Sequence, residues 1–373
     1  MMKKLISKEE LYDFLAIFFC VLNGYCRYSS LENRTLKKIL ATVFAVIGVG
    51  LLALKVIDKF RKKQFSEKHI KIALIVAAAA ALVWYRPLEM YTAILVSLNY
   101  LDKDLRKLIK YIFIASAVSF GVIVLLSLCG ILKEVIFYRE IDGVYNTRYS
   151  LGCSNPNVVL RFFLPVVFSG MLVFKNNKIA SCVFILLSLV LYRFTFSRAG
   201  TGIVIVYCLI TMLPVKFKAK MVKPELIPFM FVGLVVLSSM MALIFKDTYL
   251  NDISNHRLEF WAEYLSNVSI LGGKKSLSIG SLDNMFVGTL YYGGIYGAIY
   301  FCVLYFFSFN KSESKGMHSV ALVFYMMFLY GFVENCTSLG ESFIIVMVMV
   351  QLFDKKKLNE LNEDYNEEVK LAD

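Results

Sequence analysis

Arginines beside long apolar runs are the residues in this sequence best suited to chemistry. The main candidates are Arg148, Arg193, Arg198 and Arg257. A guanidinium group can bind phosphate or carboxylate through two parallel hydrogen bonds, whereas a lysine acts as a point charge. The simpler alternative is that these side chains extend to lipid headgroups. We therefore predict an anion site for some of them and keep headgroup anchoring as the alternative.

A second set of candidates lies in the longest polar interruption of the chain, from Asn255 to Gly297. Asp283 comes directly before an apolar run, where a carboxylate could act as a general base towards a hydroxyl group. It could instead cap the N-terminus of the following helix. His256 is the rival base. Only three histidines are present and the eight cysteines show no metal-ligand spacing, so we predict neither a metal site nor a cofactor.

Composition indicates that membrane-spanning helices position these residues. Hydrophobic residues make up 58% of the 373 positions and charged residues 18%, whereas a soluble domain averages about a quarter charged. A helix needs about 20 apolar residues to cross the hydrocarbon core. We therefore predict an all-α polytopic membrane protein with about 12 transmembrane helices. The predicted spans are 10–27, 36–57, 70–85, 87–101, 108–132, 156–174, 178–195, 199–214, 226–245, 284–307, 317–334 and 338–353.

The lysines predict the orientation of these spans. Lysine-rich segments at 55–68, 216–223 and 355–357 fall on one side, which the positive-inside rule makes cytoplasmic. Both termini are then cytoplasmic, and the candidate arginines lie on the outer side. Because short loops carry the net charge of +13, membrane insertion explains that charge and we predict no nucleic-acid partner.

The predicted domain organisation is simple. Residues 1–353 form a single membrane domain with large outer loops at 133–155 and 246–283, and residues 354–373 form an acidic cytoplasmic tail. The sequence contains neither a Walker-type glycine loop nor a G-x-S-x-G motif. ATP-driven transport and serine hydrolysis are therefore disfavoured.

Three motifs occur in a characteristic order in the second half of the chain. SRAG (197–200) begins a span, RLEFW (257–261) lies in the large outer loop, and DNMFVGTLYYGGIYG (283–297) opens the next span. With the span count, this order resembles the O-antigen ligase and repeat-unit polysaccharide polymerase (Wzy-type) superfamily. Ligases of that superfamily usually have a histidine where this chain has Asp283, with the matching glycine at Gly294. That difference favours a polymerase.

The resemblance implies a GT-C-like fold and a metal-independent, inverting glycosyltransferase in the bacterial plasma membrane. Its donor would be a glycan on undecaprenyl pyrophosphate, transferred to the sugar hydroxyl of a lipid-linked acceptor repeat. Arg198 and Arg257 would stabilise charge on the leaving pyrophosphate, and Asp283 would accept the hydroxyl proton. The substrate-binding candidates are Arg148, Arg193, His256, Asn284, Tyr291 and Glu334.

Several points stay open at this stage. Tyr291, Tyr292 and Trp261 could stack on sugar rings, but aromatic residues are also common at membrane interfaces. Glu334 could equally be a solvated loop charge. A lipid-linked oligosaccharide flippase or other secondary transporter is the alternative from another class, and a ligase is the alternative within the superfamily. No motif identifies a chain-length regulator.

Overall fold

The computed structural model describes residues 7–63, 96, 99, 105–141, 144–175, 177–272, 282–309 and 318–334. Several predicted segments lie outside the described residues. These are the spans at 70–85 and 338–353, all but two residues of the span at 87–101, and the tail at 354–373.

Helices dominate the described part of the chain. In chain order the elements are α1 (Lys8–Arg27), α2 (Arg34–Arg61), α3 (Leu105–Leu128), β1 (Ile136–Ile141), β2 (Val144–Tyr149), α4 (Pro156–Val173), α5 (Lys178–Thr195), α6 (Arg198–Met212), α7 (Val215–Met221), a 3-10 turn (Pro224–Leu226), α8 (Ile227–Phe245), α9 (Tyr249–Ile253), α10 (Arg257–Ser266), α11 (Met285–Ser308) and α12 (His318–Val333). Each predicted span that falls in the described residues corresponds to one of these helices, with ends that differ by a few residues.

The apolar helices identify a membrane-embedded protein. Six helical stretches are long and apolar enough to cross a membrane, and α6 and α12 are shorter apolar helices. The six are Arg34–Arg61, Arg106–Leu128, Pro156–Val173, Lys178–Thr195, Lys216–Phe245 and Met285–Phe307.

Asparagines begin several of these helices. Asn33, Asn155, Asn177 and Asn284 each accept a hydrogen bond from a backbone N–H in the first turn of the helix that follows. Such a side chain satisfies a donor that the helix cannot pair internally. The predicted start of the span 156–174 agrees with α4, which begins at Pro156 after the cap Asn155, and the proline lies in the first turn, where its missing N–H costs nothing.

The described residues fall into two compact units whose boundary lies at Met212–Leu213. In the first unit, α1 packs against α2 and α3, α3 against α4, and α5 against α6. In the second unit, α8 packs against α10, α11 and α12. The predicted outer loop 246–283 is partly helical, because it contains α9 and α10.

A β-hairpin lies in the first unit, within the predicted outer loop at 133–155. Strands β1 and β2 are antiparallel, and Ile136 pairs with Tyr149. Their sequences, IFYREI and VYNTRY, are rich in aromatic and β-branched residues, which favour strands. Glu134 clamps the base of the hairpin. Its carboxylate accepts hydrogen bonds from the Ser127 hydroxyl and from the backbone N–H groups of Ser150 and Leu151.

Helix α11 in the second unit is broken at Gly294, whose φ of 68° and ψ of −176° are not helical. The N–H groups of Ile295 and Tyr296 donate instead to the carbonyl oxygens of Ser269 and Ile270. A Cβ atom on Gly294 would overlap the Ile270 carbonyl oxygen. The glycine therefore permits a close backbone contact that no other residue could make without strain.

Candidate active site

Arg257 and Asp283 form an ion pair in the second unit. The Arg257 Nε atom lies 2.9 Å from Asp283 Oδ2, and the two side chains are 31% and 24% exposed. Arg257 is the first residue of α10, and Asp283 lies two residues before α11. The structure thus brings together two of the three residues that the sequence analysis predicts to be catalytic.

Two neighbours hold Asp283 in place. Trp261, one turn further along α10, donates its indole N–H to Asp283 Oδ1 over 2.9 Å. Asn284, rather than Asp283, caps α11. Its Oδ1 accepts from the N–H groups of Phe286 and Val287, and its Nδ2 donates to the Ser238 hydroxyl and the Phe332 carbonyl. Asp283 is therefore not the helix cap, and its two oxygens face Trp261 and Arg257.

The end of α12 completes the environment of Arg257. One terminal nitrogen of the guanidinium donates to the Val333 carbonyl oxygen over 2.6 Å. The other lies 3.9 Å from Glu334 Oε1. Two carboxylates and one carbonyl thus surround the guanidinium, which fixes its orientation at the meeting point of α10, α11 and α12.

Burial raises the pKa of Asp283 above its ordinary value, while the charge of Arg257 and the hydrogen bond from Trp261 lower it in part. A carboxylate with a raised pKa holds a proton more strongly, which suits a general base near neutral pH. The pair thus combines a proton acceptor with a cation that can bind phosphate oxygens.

His256, the rival base, has contacts with Glu259 and Asn251. Its Nδ1 atom lies 3.6 Å from Glu259 Oε2 and 3.5 Å from Asn251 Nδ2. Its side chain is 61% exposed. The geometry therefore favours Asp283 as the base beside Arg257, and a substrate-binding role for His256 stays a prediction.

Tyr291 and Trp261, considered as sugar-stacking residues, lie inside the protein. Tyr291 is 1% exposed and Trp261 4% exposed. Tyr291 packs edge-on against Tyr264, with ring centroids 4.8 Å apart. Both rings belong to a hydrophobic cluster beneath α10. Their observed contacts support the site rather than present a surface to a ligand.

Arg148 is engaged within the first unit. Its Nε donates to the Thr195 carbonyl over 2.7 Å, and one terminal nitrogen donates to Asn157 Oδ1 over 2.7 Å. Thr195 ends α5, so the arginine pairs with a carbonyl that lacks a partner within that helix. This placement ties β2 to α4 and α5.

Arg193 and Arg198 lie at the junction of α5 and α6 in the first unit, and both are exposed. Their roles in anion binding stay predictions. The glycine of the same SRAG motif is closely packed, because a Cβ atom on Gly200 would overlap the Leu160 side chain. The motif therefore combines an exposed cation with a tight contact between α6 and α4.

In the part of the chain that the structure describes, no group of three or more His, Cys, Asp and Glu residues is placed to hold a metal ion.

Comparisons with known proteins give no relative: no family model matches the chain, and neither a curated protein nor a solved structure matches it significantly.

Proposed function

We propose that this protein is a repeat-unit polysaccharide polymerase that uses an undecaprenyl-pyrophosphate-linked glycan as donor. The observation that carries the proposal is the pair of Arg257 and Asp283, 2.9 Å apart and fixed by Trp261. A cation for a leaving pyrophosphate and a carboxylate for a hydroxyl proton are the two groups that a metal-independent glycosyl transfer requires.

In the proposed reaction, an acceptor sugar hydroxyl attacks the anomeric carbon of the donor. A new C–O bond forms on one face while the bond to pyrophosphate breaks on the other, so the configuration inverts. The hydroxyl proton passes to Asp283, and the lipid pyrophosphate leaves with the bonding electron pair. Arg257 balances the negative charge that the leaving oxygen gains.

The proposal also includes the number of transmembrane helices, their fold and their orientation in the membrane. We infer about 12 transmembrane helices in a GT-C-like fold, both termini in the bacterial cytoplasm, and the candidate site at the outer face. The lysine distribution supports this orientation. Arg198 and Arg193 remain candidates for donor binding because both are exposed cations at a helix junction.

A lipid-linked oligosaccharide flippase is the second candidate, and the break in α11 is the observation that favours it. Discontinuous helices are frequent at the binding sites of secondary transporters. However, two N–H groups that follow the break, those of Ile295 and Tyr296, donate to the carbonyl oxygens of Ser269 and Ile270. These two N–H groups are therefore engaged within the protein rather than offered to a substrate, so the polymerase is preferred.

The decisive experiment supplies the purified full-length protein with undecaprenyl-pyrophosphate-linked repeat units, with EDTA and without nucleotide. We expect a ladder of extended glycans that disappears in Asp283→Asn and Arg257→Lys. Asp252→Asn, at an exposed position in α9, is the matched control and should leave the ladder intact. If proteoliposomes instead move lipid-linked repeats across the bilayer without lengthening them, the protein is a transporter.

A further inference from the structure

Three tyrosines form an exposed strip on one face of the β1–β2 hairpin. Residues that pair across antiparallel strands project to the same face, and alternate residues of one strand share a face. The pairing of Ile136 with Tyr149 and of Tyr138 with Thr147 therefore places Tyr138, Tyr145 and Tyr149 together. Tyr138 is 72% exposed, Tyr145 71% and Tyr149 37%.

The opposite face of the hairpin is attached to the first unit. Arg148 projects from that face to the end of α5 and to Asn157 in α4. Glu134 fixes the base of the hairpin through Ser150 and Leu151. On the strip itself, Tyr149 packs edge-on against Phe194 of α5, with ring centroids 6.4 Å apart. Tyr138 and Tyr145 are its more exposed members, and these attachments hold them in a defined position, which reduces the entropic cost of binding a ligand.

The hairpin is poorly suited to the hydrocarbon region of a bilayer. Among the residues that the structure describes, its sheet has two strands, and open sheet edges are disfavoured in hydrocarbon because unpaired backbone groups cost several kcal/mol each there. We therefore expect the tyrosines to face water or the headgroup layer.

The charge of the hairpin indicates an uncharged ligand. Residues 136–149 contain two basic and two acidic side chains, although the whole chain carries +13. The hairpin therefore lacks the cationic excess that would attract anionic headgroups. Tyrosine combines a rigid apolar ring with a polar hydroxyl at small entropic cost. A sugar ring has the matching surface, with an apolar C–H face and a rim of hydroxyl groups.

We propose that the strip of Tyr138, Tyr145 and Tyr149 binds an oligosaccharide, each ring packing on one sugar face. Successive tyrosines are two residues apart along the ladder, so the strip extends over about 14 Å and accommodates a chain of sugars rather than a single one. Its identification as the site for the growing glycan depends on the proposed polymerase activity, whereas saccharide binding itself does not.

The test measures binding of oligosaccharides cut from the cells' own surface polysaccharide to the full-length protein in nanodiscs. We expect the double variant of Tyr138→Ala and Tyr145→Ala to bind about tenfold more weakly or worse. Replacing the same tyrosines by phenylalanine should retain most of the affinity. Tyr249→Ala, which removes a ring that is 75% exposed in the second unit, is the matched control and should bind normally.

Three results would overturn the inference: no binding by the native protein, equal binding by the double alanine variant, or insertion of the strip into the hydrocarbon region. The last is measured with Tyr138→Trp and lipids brominated in the acyl chains, which would quench the fluorescence of this variant more than that of the native protein if the strip lies in hydrocarbon. If the native protein binds the oligosaccharide and polymerises, but the double alanine variant makes products of unchanged length, only the link to the growing glycan is refuted. A failed polymerase assay with retained, tyrosine-dependent binding would leave the saccharide site standing.

Discussion

The hydrogen bond from Trp261 to Asp283 provides a sharp test of the proposed base. Trp261→Phe removes the indole N–H, which donates to Asp283 Oδ1 over 2.9 Å, and keeps an aromatic ring in the cluster beneath α10. That hydrogen bond lowers the pKa of Asp283. Its loss must therefore raise the pKa further, so the carboxyl group stays protonated to a higher pH.

The size of the effect follows from the strength of the bond. A hydrogen bond to a charged group contributes about 1.5–3 kcal/mol, and solvent replaces part of it because the Asp283 side chain is 24% exposed. The rate should rise with pH as Asp283 loses its proton, and the midpoint of that rise should lie at higher pH in Trp261→Phe than in the native protein.

The assay is the pH dependence of the initial rate of glycan extension. Phe332→Leu is the matched control, because it removes the edge-on ring contact with Trp261, at 5.9 Å between centroids, and leaves the indole donor present. Its midpoint should equal that of the native protein. An unchanged midpoint in Trp261→Phe would refute the assignment of Asp283 as the titrating base.

Three further variants test the site and its supports. Asp283→Asn should lower the rate by about 10²–10⁴-fold with little change in melting temperature, since the ion pair is partly exposed; a large loss of stability would indicate a structural role. Gly294→Ala should destabilise the protein by about 1–3 kcal/mol or more, whereas Gly293→Ala, where an added Cβ meets open space, should not, as measured by thermal unfolding in detergent. Gly200→Ala should likewise lower the melting temperature because of Leu160, and Gly202→Ala, in open space on the same helix, should leave it near the native value. Equal melting in either glycine pair would contradict the close packing.

The apolar helices were the most predictable part of the fold, because burial in lipid requires long uninterrupted apolar runs. Their ends were predictable where a strong local signal exists, as at Asn155–Pro156. The hairpin was harder to predict, because its strands, IFYREI and VYNTRY, are short and show no regular alternation of apolar and polar residues. The break at Gly294 depends on hydrogen bonds from the N–H groups of Ile295 and Tyr296 to the carbonyl oxygens of Ser269 and Ile270, and no local pattern encodes that contact.

The candidate site shows the same division between local and long-range information. Residue type and the resemblance of the motifs together indicated Arg257 and Asp283 among the many charged residues between the two spans. Their pairing depends on the packing of α10 against α11. The role of Trp261 as a donor to Asp283 and the burial of Tyr291 depend on that same packing. Sequence therefore indicated which groups could react, and tertiary structure determined which of them meet.

The ion pair of Arg257 with Asp283 affects how the donor can bind in the proposed reaction. Its guanidinium already pairs with Asp283 and lies near Glu334, so an arriving pyrophosphate must compete with these carboxylates. When Arg257 turns to the phosphate oxygens, Asp283 loses the positive charge that lowers its pKa and gains a negative neighbour. Both changes raise the pKa of Asp283 and make it a stronger base once the donor is bound.

This coupling separates two quantities in the same pH experiment. The pH dependence of kcat/KM reports groups in the free enzyme, and that of kcat reports groups in the substrate complex. If donor binding draws Arg257 away from Asp283, the rise of kcat must occur at higher pH than the rise of kcat/KM. Coincident midpoints would mean that Arg257 keeps its contact with Asp283 throughout, and that a group other than Arg257 receives the pyrophosphate.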